Sequence, residues 1–420
     1  MKKPLIDAGI AMPAVVRNLC LCVLPSIAAG LVGGCGGGGG NSSNSAAGFI
    51  NSPSTVNAAT SVAVYPAGSA NSNSSRIFMP VTAVGTQMLP SALPLILDSG
   101  SAGITMYAQA IFPSSMVSSS GFVFPTGATS IQYNGITVTN VQGTKSFSGT
   151  QQTGNLGFAT VTFGANSELT TASVPIFFYF SILNTFTSPP TPVTTLPSYQ
   201  GIFGINTAGN AIVVSGNGAP TLSICNLQST STCHQVSPLR YLSYGAGINT
   251  GFMLSPATLQ PTCDISTWNG CTQANIFTVG LTDSSESGFA SEQLTCPGNQ
   301  PSGSSNGISV CQPAQFSTIS DITTSQSFSM PVAFDTGTPH NSISVPAASS
   351  ASFPATIAAG TGISIATASG FNFNYTAGAP STTSYTQITQ NTSFASIIGI
   401  DFFTNHSFFV DFTTSKEGFQ

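Results

Sequence analysis

From residue 56 onward, short apolar runs alternate with clusters of Gly, Ser, Asn and Pro, the punctuation of strands and turns. Residues 78–84, 93–97, 131–141, 159–163, 173–180, 276–281, 330–334 and 407–412 are rich in Val, Ile, Phe and Thr and read as strands. No long stretch keeps a 3.6-residue apolar period, so only short helical turns are expected, near Ala108 and Ala347. The pattern predicts an all-β, mainly strand-and-turn chain. It has no repeat of fixed period, but two segments far apart echo each other.

The N-terminus follows a different pattern. Lys2, Lys3 and Arg17 accompany an apolar stretch over 18–32 that ends in Val32-Gly33-Gly34-Cys35. A basic start and a short apolar region closing on small residues mark a secretory leader. The ending resembles a bacterial lipobox, in which Cys35 would be lipidated and become the first residue. Residues 1–35 are therefore expected to be a lipoprotein signal peptide, and the Gly/Ser/Asn-rich stretch 36–60 a flexible tether. No Asp follows Cys35. By resemblance to known lipoproteins, the protein is expected in the cell envelope, on the outer membrane, facing the periplasm or the cell surface.

Composition narrows the function. Of 420 residues only 7 are Lys or Arg and 12 Asp or Glu, so 5% are charged, against about 25% in an ordinary soluble protein. Seven scattered cations cannot build the basic patch that nucleic-acid binding needs. The scarcity of Glu and Lys excludes a long coiled coil. With 41% hydrophobic residues, charge-driven disorder is not expected. Removing Lys2, Lys3, Arg17 and Asp7 with the leader leaves four cations (Arg76, Lys145, Arg240, Lys416) and eleven acids.

Nine cysteines are present, three of them within the leader. The other six, Cys225, Cys233, Cys263, Cys271, Cys296 and Cys311, fall in order as three close pairs. Loop-closure entropy favours the local pairings 225–233, 263–271 and 296–311 among the possible ones. The spacings lack C-x-x-C or H-x-x-x-H, so disulfides in an oxidising compartment are expected and no metal site.

The two echoing segments are Leu95-Ile96-Leu97-Asp98-Ser99-Gly100-Ser101 and Val332-Ala333-Phe334-Asp335-Thr336-Gly337-Thr338. Each is a triplet of apolar residues followed by Asp, a hydroxyl residue, Gly and a second hydroxyl residue. An apolar strand delivers each Asp to its end, and Gly100 and Gly337 let the backbone approach a neighbouring loop closely. Ser99, Ser101, Thr336 and Thr338 can hydrogen-bond carboxylate and backbone. Two carboxylates brought into contact share one proton, and such a pair can activate water and protonate a carbonyl without metal or covalent intermediate.

On these residues the chain resembles the pepsin-like aspartic proteases. Each lobe of that family also has an apolar-apolar-Gly strand threading behind its Asp loop. Gly201-Ile202-Phe203-Gly204-Ile205 and Ile397-Ile398-Gly399-Ile400 fit that role. The stretch 149–157 followed by Val161-Thr162-Phe163-Gly164 looks like the family's flap hairpin and next strand, with Phe147, Ser148 and Gly149 at the flap. The family usually has a Tyr there; here Phe147 and Ser148 stand in its place. The resemblance implies a bilobal double β-barrel with a central cleft, an N-terminal lobe over 61–210 and a C-terminal lobe over 211–420 with disulfide-rich insertions at 225–311. It implies an aspartic endopeptidase that hydrolyses polypeptides between Asp98 and Asp335, without cofactor, as a monomer. The alternative is a weak or inactive peptide-binding surface lipoprotein on the same scaffold. His234, His340, His406, Asp401 and Asp411 are expected to be structural. A G-x-S-x-G match at 303–307 lacks the strand-turn-helix setting of a nucleophile elbow.

Overall fold

The strand ends that carry Asp98 and Asp335 are built alike in the computed structural model, although their sequences differ. The structure describes residues 52–68, 75–147, 149–194, 198–206, 210–214, 224–229, 232–295, 312–313, 316–392 and 395–420. These belong to one unit, Gly48–Gln420. The leader, Cys35, Ser148, Cys296, Cys311 and the 303–307 motif lie outside the described residues.

The class is all-β, as expected: strands dominate, and the helical pieces among the described residues are the 3₁₀ turns Ala108–Ala110, Pro238–Tyr241 and Phe402–Thr404. No helix forms near Ala347, where the chain makes turns. The strand expected over 131–141 is two strands, Ser130–Tyr133 and Ile136–Phe147. Asn134 and Gly135 take φ of 45° and 76° between them, the Asn-Gly hairpin turn whose twist suits paired strands. Of the tether expected over 36–60, residues 36–51 lie outside the described residues, and its last part is strand. Thr55–Val56 pairs in parallel with Ser243–Tyr244, and Val56 is buried.

Seven strands between Phe316 and Ile398 form one sheet, and most of the others join a closed barrel. The strand Thr60–Ala67 ties distant parts of the barrel together. Its first residues pair with Ala274–Leu281 and its last three with Arg76–Val84.

The threading strands explain the local geometry at both aspartates. Gly201–Ile205 runs parallel to Gln87–Asp98, with Gly204 beside Asp98, and antiparallel to Ala102–Tyr107. It thus fills the gap between the two arms of the first Asp loop. Ser396–Ile398 does the same for the second loop, parallel to Gln326–Phe334 and antiparallel to Asn341–Val345. The glycines are required by space: a Cβ on Gly204 would lie 2.7 Å from Ser101 O, and one on Gly399 2.5 Å from His340 O. The strand Gln326–Phe334 alternates cleanly, burying Phe328, Met330, Val332 and Phe334. Phe334 packs on Phe402 and Phe419 with ring centroids 4.5 and 4.9 Å away. Burying such a ring is worth about 1.5–3 kcal/mol, so the residue before Asp335 is firmly anchored.

Candidate active site

One backbone amide of the first loop bridges Asp98 and Asp335. The amide of Gly100 donates to Asp98 Oδ1 at 2.8 Å and to Asp335 Oδ1 at 3.1 Å. One N–H therefore spans both carboxylates. A Cβ on Gly100 would strike the Asp335 carboxylate, and one on Gly337 would lie 2.7 Å from Asp98 Cγ. Each acid rests on the other loop's glycine.

The remaining oxygens are held within their own loops. Ser101 Oγ donates to Asp98 Oδ2 at 2.6 Å and its amide to Asp98 Oδ1 at 2.9 Å. Thr338 Oγ1 donates to Asp335 Oδ2 at 2.6 Å, and the Gly337 amide to Asp335 Oδ1 at 2.7 Å. Ser99 and Thr336 point away from the carboxylates and lace the loops together. Ser99 Oγ donates to Phe334 O at 2.8 Å, and Thr336 Oγ1 donates to Leu97 O at 2.6 Å. Asn206 Nδ2, at the end of the threading strand, donates to Ser99 O at 2.7 Å.

Both aspartates are 8% exposed, so water can reach them but solvates them poorly. Burial, followed by the charge of Asp335, raises the Asp98 pKa well above the usual carboxylate range, and the bonds from Ser101 and Gly100 only partly offset this. Two carboxylates bridged in this way can share one proton.

The hairpin Ile136–Phe147 and Thr150–Ala159 forms where the flap was expected. Phe147 is half-buried and brings no hydroxyl to the tip. Gly149 adopts φ of 76° and has Phe186 packed where a side chain would stand, while Thr185 N donates to Gly149 O at 3.0 Å. The tip is thus pinned to the strand Val174–Asn184.

Two cations that the sequence reading left without a role lie near the acids. Arg76 starts the strand that pairs with Gln87–Asp98, and continuing the register Phe78↔Ile96 by two residues sets it opposite Asp98. Burial lowers its pKa, while the charges of Tyr199, Asp335 and Asp98 pull it back up. Lys145, on the inner side of the hairpin, is buried and feels the charge of Asp98. Its only signal in the sequence was rarity, as one of four cations beyond the leader.

The other candidates bond or pack away from the two carboxylates. Asp401 precedes the turn Phe402–Thr404 and accepts from Thr383 Oγ1 at 3.1 Å, and Asp411 accepts from the amides of Thr413 and Thr414. His340 packs against Tyr385 and His406 against Phe402. Disulfides join Cys225 to Cys233 and Cys263 to Cys271. Among the described residues no three His, Cys, Asp or Glu side chains form a cluster that could hold a metal.

No family model and no curated protein matches the chain. Among solved structures it is similar to the aspartic proteinase from Irpex lacteus, at 15% identity and a TM-score of 0.49, over 86% of this chain and 97% of that one. At that distance the likeness carries no weight beside the geometry of the two loops.

Proposed function

We propose that the protein is an aspartic-type endopeptidase. The observation that carries this reading is the single Gly100 N–H bonded to both Asp98 and Asp335, beside an Asp98 pKa raised first by burial and then by the charge of Asp335. A pair sharing one proton can hold a water molecule between its oxygens. The ionised carboxylate removes a proton from that water as it attacks the peptide carbonyl, and the protonated partner donates to the carbonyl oxygen. The resulting diol collapses when one carboxyl proton passes to the amide nitrogen, the other carboxylate takes a proton from a diol hydroxyl, and the C–N bond breaks, leaving a free acid and a free amine. Ser101, Thr338, Gly100 and Gly337 hold the oxygens in place, and no step calls for a metal or cofactor.

An extended polypeptide, paired strand-like along the cleft, is the substrate class this mechanism takes. The reading extends to a monomer anchored through a lipid on Cys35 in the cell envelope. Labelling with a fatty acid that is abolished by Cys35→Ser tests the anchor. The central test is hydrolysis of an unfolded protein at acid pH by the purified chain. Asp98→Asn and Asp335→Asn should each abolish it, and a statine-type inhibitor should block it.

A second reading, peptide binding without turnover, is favoured by Phe147, which puts no hydroxyl at the hairpin tip. It is distinguished by peptide binding that survives both Asp→Asn changes with no cleavage in the parent.

A further inference from the structure

Lys145 is the one buried lysine among the described residues, 1% exposed, and its hydrogen-bond partners are neutral. Its Nζ donates to Ala102 O at 3.2 Å and to Gln235 Oε1 at 2.8 Å. The orientation of Gln235 is fixed, because its Nε2 donates to Ile104 O and to Pro175 O, both at 2.9 Å. Gly103, at φ of 84°, leaves the space that the Gln235 side chain fills. The Phe147 ring lies 5.4 Å from Nζ, and Gln152 stands across the hairpin from Lys145, its Oε1 buried and without a partner. His234, next to Gln235, takes the opposite face of its strand by alternation.

A buried ammonium bonded only to neutral groups is costly unless a charge compensates it. The charge that acts on Lys145 is Asp98. Ala102 lies one residue beyond the Asp98–Ser101 loop, so the same lysine ties the hairpin mechanically to that loop. Asp335, Arg76 and Tyr199 complete the titratable groups around Asp98.

We propose that Lys145 is a positioning residue for the aspartate pair: bonded to Ala102 O and Gln235, it fixes the hairpin on the first loop and, together with Arg76, sets positive charge near Asp98. This rests on the reading of the two aspartates as a proton-sharing pair. It gives the site a resident cation, held on the inner side of the hairpin next to Phe147.

The chain has four lysines, at 2, 3, 145 and 416, so ¹³C-lysine labelling of the whole protein yields few signals, and Lys145→Met assigns the one that matters. Its titration midpoint should lie near neutrality, far below the other lysines, since burial lowers its pKa to about 7. Asp98→Asn should lower that midpoint further, by about 1–3 pH units, the usual effect of one close opposite charge. An unmoved midpoint overturns the proposal, whatever a hydrolysis assay gives. In the hydrolysis assay, Lys145→Met should raise the acid limb of the kcat/KM profile by about one pH unit or more, and Lys145→Arg should restore it. A profile that overlays the parent removes the role in the reaction and leaves the protease reading intact. A parent without hydrolysis sinks that reading while the lysine titration still decides this one.

Discussion

Ser99 and Thr336 each bond the other's backbone: Ser99 N–H donates to Thr336 Oγ1 at 3.0 Å, and Thr336 N–H donates to Ser99 Oγ at 3.0 Å. The exchange crosses 237 positions of sequence and sets the spacing of the carboxylates one residue upstream. Each hydroxyl also donates to a carbonyl of the opposite strand, so deleting either leaves a buried N–H and a buried C=O unpaired. Ser99→Ala and Thr336→Ala should each lower stability by about 1–3 kcal/mol. Because the two share one network, the double variant should cost less than the sum of the singles. Urea unfolding of the four proteins measures the coupling, and strict additivity would show that the loops are held by something else.

Gly337→Ala should cost activity more than stability. A Cβ there would lie 2.7 Å from Asp98 Cγ and 3.0 Å from Asp335 Oδ1, so the carboxylates must move apart. Misplacement of reacting groups by about 1 Å costs on the order of 100-fold in rate. A comparison of kcat with the unfolding midpoint separates the two effects. Equal losses in both would mean that the loop collapses as a whole.

The strand arrangement around the site was legible because it is written locally. The repeated Asp-hydroxyl-Gly-hydroxyl loops, the apolar-Gly threading strands and two closely spaced cysteine pairs each state their geometry within a few residues. What was not legible depends on partners far along the chain. Lys145 is only one of four cations beyond the leader until Gln235, 90 positions away, comes to rest beside it. Arg76 has no role in sequence until strand register sets it opposite Asp98. Gly149 reads only as part of the flap, and nothing near it in sequence shows that the ring of Phe186 fills the side a Cβ would take. Asn134-Gly135 carries a local turn signal inside an apolar run, and the turn, with positive φ at both residues, breaks the run into two strands.

Stability should fall as pH rises from about 4 to 7. Glu292 and Glu417 face each other across paired strands, 9% and 6% exposed. Burial, then the charge and hydrogen bond of Glu292, raise the Glu417 pKa well above its ordinary value. Burial, then hydrogen bonding with Asp411 and its charge, push Glu286 up to about 7. Asp98 is raised in the same way. A carboxyl whose folded pKa exceeds its unfolded one binds more protons in the folded state between the two values. The stability these protons confer is therefore complete below the ordinary carboxylate range and is lost as pH climbs through the folded pKa values. Lys145 acts in another window: its lowered pKa makes the unfolded chain the better proton binder between about 7 and 10.5, so its share of stability rises with pH there. Melting temperatures taken from pH 4 to 7 should decline, and Glu417→Gln should flatten the decline. A rising or flat curve in the parent would contradict the raised carboxyls.

Trp268, the chain's single tryptophan, gives a direct optical reading of the Cys263–Cys271 loop. It sits inside that loop with φ of 60°, its Nε1 donates to Ala92 O at 3.0 Å, and its ring lies 4.4 Å from that of Tyr65. Ala92 belongs to the strand Gln87–Asp98, so the loop is fastened to the strand that ends at the first aspartate. Closing so short a loop should stabilise the fold by about 2.5 kcal/mol through the unfolded chain. Cys263→Ser with Cys271→Ser should therefore lower stability by roughly that amount, and it should also red-shift Trp268 emission and raise its quenching by iodide, because the indole loses the frame that holds it on Ala92. Cys225→Ser with Cys233→Ser should leave the emission unchanged, since that bridge packs with Leu156, Phe177 and Tyr179 in a separate cluster. Emission that moves equally in both double variants would mean that Trp268 reports global loosening, and that the loop is not held by its own bridge.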